Sequence, residues 1–332
     1  MNNPLLELNS LPAFDRIEAR HARPALEKVL AENRARLAEL TAQPHPTFAS
    51  LVIPVEELSY RLSRVWSPVA HLNAVANSTA MREAYNECVP LLTAYSSELG
   101  QNAALQAAYA HVLRHEGGAL EPAQRKVVEN ALRDFRLAGV DLEPQQKARY
   151  CEVAQRLAQL ATKFSENVLD AGRAYTRSVT DGAELAGLPA NAVDRAAADA
   201  REAEQPGWLF KLDQPTYMTV MASAAGAQLR RDIYEAWITR ASELGPSAGR
   251  FDNNPIIAEI LPLRHELARL VGFGNFADYA LATRMAKSSK QVLAFLDDLA
   301  RRCLPAARQE FSDLEEFAGR KLNAWDMAYY SE

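Results

Sequence analysis

Apolar residues along this chain recur at intervals of three and four far more often than they alternate, a spacing that predicts helices. In "PALEKVLAENRARLAEL", Leu26, Val29, Leu30, Leu37 and Leu40 fall on one face. Pro24 suits a first turn there, where its missing N–H costs no hydrogen bond. The next segment repeats the pattern with Val55, Leu58, Leu62, Val65 and Val69. Pro54 precedes it, and Glu56 and Glu57 place negative charge near the positive end of the helix dipole. Val153, Leu157, Leu160, Phe164 and Val168 form a third stripe, on a helix that can begin at Pro144. Gly117-Gly118 reads as a helix end and Pro122 as a restart.

Two stretches depart from this period. Tyr175, Arg177 and Val179 alternate with smaller residues before Asp181-Gly182, and "WLFKL" is a short apolar run between Pro206-Gly207 and Pro215. Together they predict a small antiparallel β-hairpin insertion. Helical patterns resume in "AAGAQLRRDIYEAWITRAS", in "NNPIIAEILPLRHELARLVGFG" up to Gly272, and in "QVLAFLDDLARRCLPAARQEFSDLEEFAGRKL". The expected fold class is all-α, with an N-terminal helical region over 1–172, the strand-containing insertion over 173–215, and a further helical region over 216–332. No internal repeat or low-complexity linker divides the chain.

Composition narrows the function classes. Of 332 residues, 48% are hydrophobic and 24% charged, the balance of a chain able to bury a core. The net charge of -5 comes without a dense Lys/Arg run, which argues against nucleic acid or an anionic membrane as partner. Cys88, Cys151 and Cys303 are far apart, odd in number and without C-x-x-C spacing, as expected in a reducing compartment. The first residues do not run from a basic to an apolar region, and no stretch of about 18 apolar residues is present. A cytoplasmic location is expected.

Candidate chemistry is sparse. The run His265-Glu266-Leu267-Ala268 begins like the H-E-x-x-H zinc motif, in which histidines at i and i+4 on one helix reach the same ion. Arg269 stands where the second histidine belongs. His111 and His115 are a true i, i+4 pair, but Glu116 follows the second histidine and so is not placed as the motif's general base. A solvated helix end is the simpler expectation for them. The other histidines are His21, His45 and His71. "GFGNF", from Gly272 to Phe276, follows a helix and lacks a third glycine, so a helix cap explains it better than a dinucleotide site. The pairs Glu56-Glu57, Asp297-Asp298 and Glu315-Glu316 are adjacent, diverge on a helix, and read as solvated faces. Local chemistry therefore predicts no catalytic, cofactor-binding or metal-ligating residue.

Longer stretches carry a resemblance. "WSPVAHLNAVANSTAMREAYNECVPLLTAYSSELGQN" from Trp66, "AQRKVVENALRDFRLAGVDL" from Ala123 and "FSENVLDA" from Phe164 occur in order with "GWLFKLDQPTYMTVM" and "DNNPIIAEILPLRHELARLVGFGNFADYALATRMAKS". Nearly end to end, the chain resembles the N-terminal half of the thimet oligopeptidase family of zinc metallopeptidases, nearest the bacterial oligopeptidase A branch. The resemblance implies an elongated all-α lobe of a two-lobed clamshell, forming one wall of a channel that admits short, unstructured oligopeptides. It also implies that "RHELARL" is a structural helix. The family's H-E-x-x-H, its further glutamate ligand and its assisting tyrosine and histidine lie in a later catalytic part absent from these residues. Zinc is expected in the full-length protein and not in this chain, which is expected to be inactive alone. The alternative is a stand-alone helical module that binds peptides or proteins without catalysis.

Overall fold

A computed structural model describes residues 3–8 and 10–332. Met1 and Asn2, at the start of the segment read for a leader, and Asn9 lie outside the described residues. Thirteen α-helices and two strands occur among them: α1 Ala19–Thr41, α2 Ile53–Val75, α3 Thr79–Gly100, α4 Ala103–Glu116, α5 Pro122–Leu137, α6 Pro144–Ala174, β1 Thr176–Val179, α7 Ala190–Glu202, β2 Trp208–Lys211, α8 Gln214–Ser223, α9 Ala227–Ile238, α10 Asn254–Leu270, α11 Phe276–Leu281, α12 Ser289–Ala318 and α13 Met327–Ser331. The fold is all-α, with the two strands as its sole sheet among the described residues. The chain divides into two compact units, one of residues 1–162 with 262–280, the other of 163–261 with 281–332.

In the first unit the stripe on α1 is the centre of the core. Leu26, Val29 and Leu40 are fully buried, each contributing about 1.5–3 kcal/mol by leaving water. They cluster with Val65 and Val69 of α2, Tyr109 and Val112 of α4 and Phe135 of α5. Tyr109 and Phe135 meet edge to face at 5.6 Å, the arrangement that ring quadrupoles favour. Helix α1 begins five residues earlier than its proline suggested. Glu18 and His21 form a reciprocal cap, with the Glu18 N–H donating to His21 Nδ1 at 3.0 Å, so Pro24 falls in the second turn. That cap decides the start because it satisfies helix-end groups that a proline merely tolerates. A second cluster in this unit joins Tyr150 and Val153 of α6 to Leu267 of α10.

The second unit is built around the strand pair. β1 and β2 run antiparallel, with Thr176 opposite Lys211 and Val179 opposite Trp208. They do not form a hairpin. A short helical turn, Gly182–Leu185, and α7 lie between them in sequence, and α7 buries Ala196 and Ala200. The connection is a full helix because a two-strand sheet needs one face covered, and small alanines let that helix approach closely. Val179, Phe210, Leu212, Val220, Leu229 and Ile233 make the core, and Tyr217 stacks on Trp237 at 4.7 Å. Asn253, nearly buried, ties the start of α10 to α6. Its Nδ2 donates to the Phe164 carbonyl at 3.1 Å, and its Oδ1 accepts from Asn167 Nδ2 at 2.8 Å.

The last described residues fold back onto α8 and α9. Arg230 and Asp326, with side chains 1% and 0% exposed, pair at 2.6 Å. Arg230 also donates to the carbonyls of Ala224, Ala225 and Trp325, and its guanidinium lies 4.3 Å from the centre of the Tyr329 ring. A buried guanidinium is tolerable only when its N–H groups find acceptors, and here they do.

Candidate functional site

The zinc-like run sits on α10, where its spacing is helical but its partners are structural. Leu267 and Ala268 face the core, His265 is exposed, and Arg269 replaces the second histidine. Glu266 accepts two hydrogen bonds from Arg149 of α6, from Nε at 2.6 Å and from Nη2 at 2.9 Å. That fork holds the Glu266 carboxyl below the usual carboxylate range, against the opposing effect of partial burial. A carboxylate held this way is a staple between two helices, not a poised base. These residues do not fit a zinc site. Replacing His265, which stands in the motif's ligand position, with alanine should accordingly leave the metal content of the protein unchanged, as measured by elemental analysis of the purified variant.

The second candidate gains a neighbour that the sequence did not place. His111 and His115, in the last turns of α4, have ring centres 4.1 Å apart, and His45, from the turn after α1, comes within 6.2 Å of His111. Burial lowers the His111 pKa, with His115, His45 and Arg114 adding to the shift and Glu116 opposing it. Glu116 is engaged elsewhere, accepting the Phe48 N–H at 2.7 Å. No group of three or more His, Cys, Asp or Glu among the described residues is arranged to hold a metal ion.

The remaining motifs have local explanations. Gly272, at φ +88°, ends α10, where the Phe273 N–H reaches back to the Ala268 carbonyl, and Asn275 Oδ1 caps α11 by accepting the Asp278 N–H at 2.9 Å. Asp298 pairs with Arg301 and Arg302 on its own helix. Glu315 takes Lys321 and the Leu322 N–H, which hold its carboxyl below the usual range. Cys88 is fully buried, and burial pushes its thiol up to about 11, so it is no nucleophile. A cavity of about 180 Å³ between α7, β2 and α8 contains Arg195 and Lys211. Both are already paired, with Asp213 and with Asp199 and Glu202 respectively, so the cavity presents no free charge to a ligand.

Helix α12 is the feature that local chemistry leaves unexplained. It has a Ser288 cap at its start and Gly319 at φ +64° at its end, yet none of its 30 residues is buried. Leu296, Leu299 and Leu304 are each about half exposed. Among the described residues, no helix is long and apolar enough to cross a membrane.

Comparison with known proteins supplies the context. The model of the Neurolysin/Thimet oligopeptidase N-terminal domain matches residues 26–147, and that of Peptidase family M3 matches residues 220–332. Oligopeptidase A of Haemophilus influenzae is 43% identical over 338 residues, and that of Salmonella typhimurium 45% over 339. Each alignment covers 100% of this chain and 50% of the relative. The chain belongs to peptidase family M3. It corresponds to the N-terminal half of oligopeptidase A. The dipeptidyl carboxypeptidase of Salmonella typhimurium, 29% identical over 347 residues, covers 99% of this chain, with 50% of its own length matched. The chain thus spans about half the length of the curated relatives it matches. His265 and Glu266 fall inside the segment matched by the M3 family model, but His265 is exposed and Glu266 is held by Arg149.

Proposed function

We propose that this chain is the N-terminal part of an oligopeptidase A-like zinc metalloendopeptidase that hydrolyses short peptides in the cytoplasm. The observation that carries the reading is identity of 43–45% over the whole chain to relatives named oligopeptidase A. In this reading zinc and the reacting groups belong to a later part of the full-length protein, and the engagement by Arg149 of Glu266, the carboxylate in this chain's imitation of the motif, supports it. The chain's own share is one wall of the peptide channel and the exclusion of folded substrates. The uncovered helix α12 supports this division. A 30-residue helix is about 45 Å long, and its apolar stripe is suited to packing against the half that the relatives possess and this chain does not.

The test compares the 332-residue chain with the protein expressed from the complete reading frame. Both are dialysed against trace zinc and assayed with an internally quenched nonapeptide. The chain alone should hold a zinc-to-protein ratio near zero and leave the peptide intact, while the longer protein should hold zinc and cleave it. Cleavage by the purified chain alone, abolished by chelation, would overturn the reading. A reading frame that stops after codon 332 would favour the peptide-binding module instead.

A further inference from the structure

The face shared by α2 and α5 in the first unit is a groove with matched walls. Ile53, Glu56, Glu57 and Tyr60 occupy positions i, i+3, i+4 and i+7 on α2, and Val127, Asn130, Ala131 and Asp134 repeat that spacing on α5. Phe48 and Val52 close the floor, giving a volume of about 570 Å³. That lies inside the range of about 300–1,000 Å³ typical of ligand pockets.

Two properties set its chemistry. The first is apolar surface left to solvent: Ile53 is 46% exposed, Tyr60 65% and Val127 38%. The second is charge. Glu56, Glu57 and Asp134 line the groove, and no lysine, arginine or histidine does so among the described residues. Arg133, one residue before Asp134, meets it at 2.8 Å and also donates to Asn130 Oδ1. Three carboxylates against that one guanidinium leave two negative charges beside the apolar strip. The floor is a single π turn, Phe48–Val52, fixed by the Thr47–Ser50 reciprocal cap and by Glu116. Single π turns are rare and recur at functional sites.

We propose that this groove binds a short peptide segment carrying lysine or arginine next to a large apolar side chain. The apolar side chain covers Ile53, Val127 and the Tyr60 ring, and the cation sits against Glu56, Glu57 and Asp134. The Tyr60 face adds a further attraction for the cation. Acidic segments are repelled by the same carboxylates, so the groove selects by charge as well as by shape. The assignment goes beyond the peptidase reading, because it concerns binding by residues this chain itself supplies.

The experiment uses fluorescence anisotropy of the 332-residue chain with two labelled hexapeptides, KLLKLL and ELLELL. KLLKLL should bind more tightly, and the preference should shrink as salt is raised. Combining Glu57→Gln with Asp134→Asn should weaken KLLKLL about fivefold, as expected for the loss of two exposed charge contacts, and leave ELLELL no weaker. Val127→Asp, at an exposed position, should weaken ELLELL further while circular dichroism stays unchanged. Equal affinity for the two peptides, no binding of either, or KLLKLL binding unaltered in the double variant would overturn the proposal.

Discussion

Asp326→Ala is expected to destabilise the second unit by about 3–5 kcal/mol, the cost of leaving a buried charge without its partner. Arg230 is almost fully buried, and its Nη2 donates to Asp326 Oδ1. Without that carboxylate the guanidinium keeps its carbonyl acceptors but has no counter-charge. Trp325, Trp237 and Trp208 all lie in this unit, so tryptophan emission during urea unfolding reads the loss. A midpoint within experimental error of the unsubstituted chain would refute it. The converse design should recover only part of the stability. Pairing Asp326→Leu with Arg230→Met removes both charges but orphans the carbonyls of Ala224, Ala225 and Trp325, which Arg230 satisfies.

The same pair sets an acid limit. Burial alone would raise the Asp326 pKa, but hydrogen bonds from Arg230, Arg320 and the Asn323 N–H outweigh it and hold the value at about 2. A folded pKa below the unfolded one contributes stability that is fully present above the unfolded value, near 4, and is lost as pH falls toward 2. The contribution is roughly 2 kcal/mol. Unfolding of the unsubstituted chain should therefore steepen below pH 4. In Asp326→Asn that component of the pH dependence should be missing.

Gly207→Ala is the second large effect, with an expected loss of roughly 3 kcal/mol or more. Gly207 has φ +80°, a conformation that an L side chain enters at a cost of roughly 1–2 kcal/mol. Worse, a Cβ there falls well inside contact distance of the Val179 carbonyl oxygen. That oxygen belongs to the last pair of the ladder, where Val179 faces Trp208, so relief of the clash must pull β1 from β2. Gly249→Ala is the control. Gly249 has φ +71° but a Cβ would meet nothing within 4 Å, so only the conformational cost applies. Equal losses for the two variants, measured by urea unfolding, would show that the Val179 contact is relieved without harm.

Much of the architecture was legible because helical burial is a local pattern repeated many times. The faces of α1, α2 and α6, the break at Gly117-Gly118 and the stop at Gly272 each needed only neighbours within a few residues. The strands were legible from alternation and from Pro206-Gly207. Their connection was not, since α7 is an alanine-rich segment whose helix is recognised by what it covers. Pro24 misled because a proline tolerates several early helix positions, whereas the Glu18–His21 cap fixes one.

The apparent zinc motif shows the same limit from the side of chemistry. Sequence alone determined that Arg269 breaks the H-E-x-x-H spacing, and the ordered run of matching stretches pointed to the family, since such matches accumulate along the chain. Only the tertiary structure decided what Glu266 does, by bringing Arg149 from 117 positions away to fork its carboxylate. It likewise brought His45 to His111, and Asp326 to Arg230 across 96 positions. Such pairs leave no periodic trace, because a single long-range contact depends on how whole helices pack and not on the spacing of residues within any one of them.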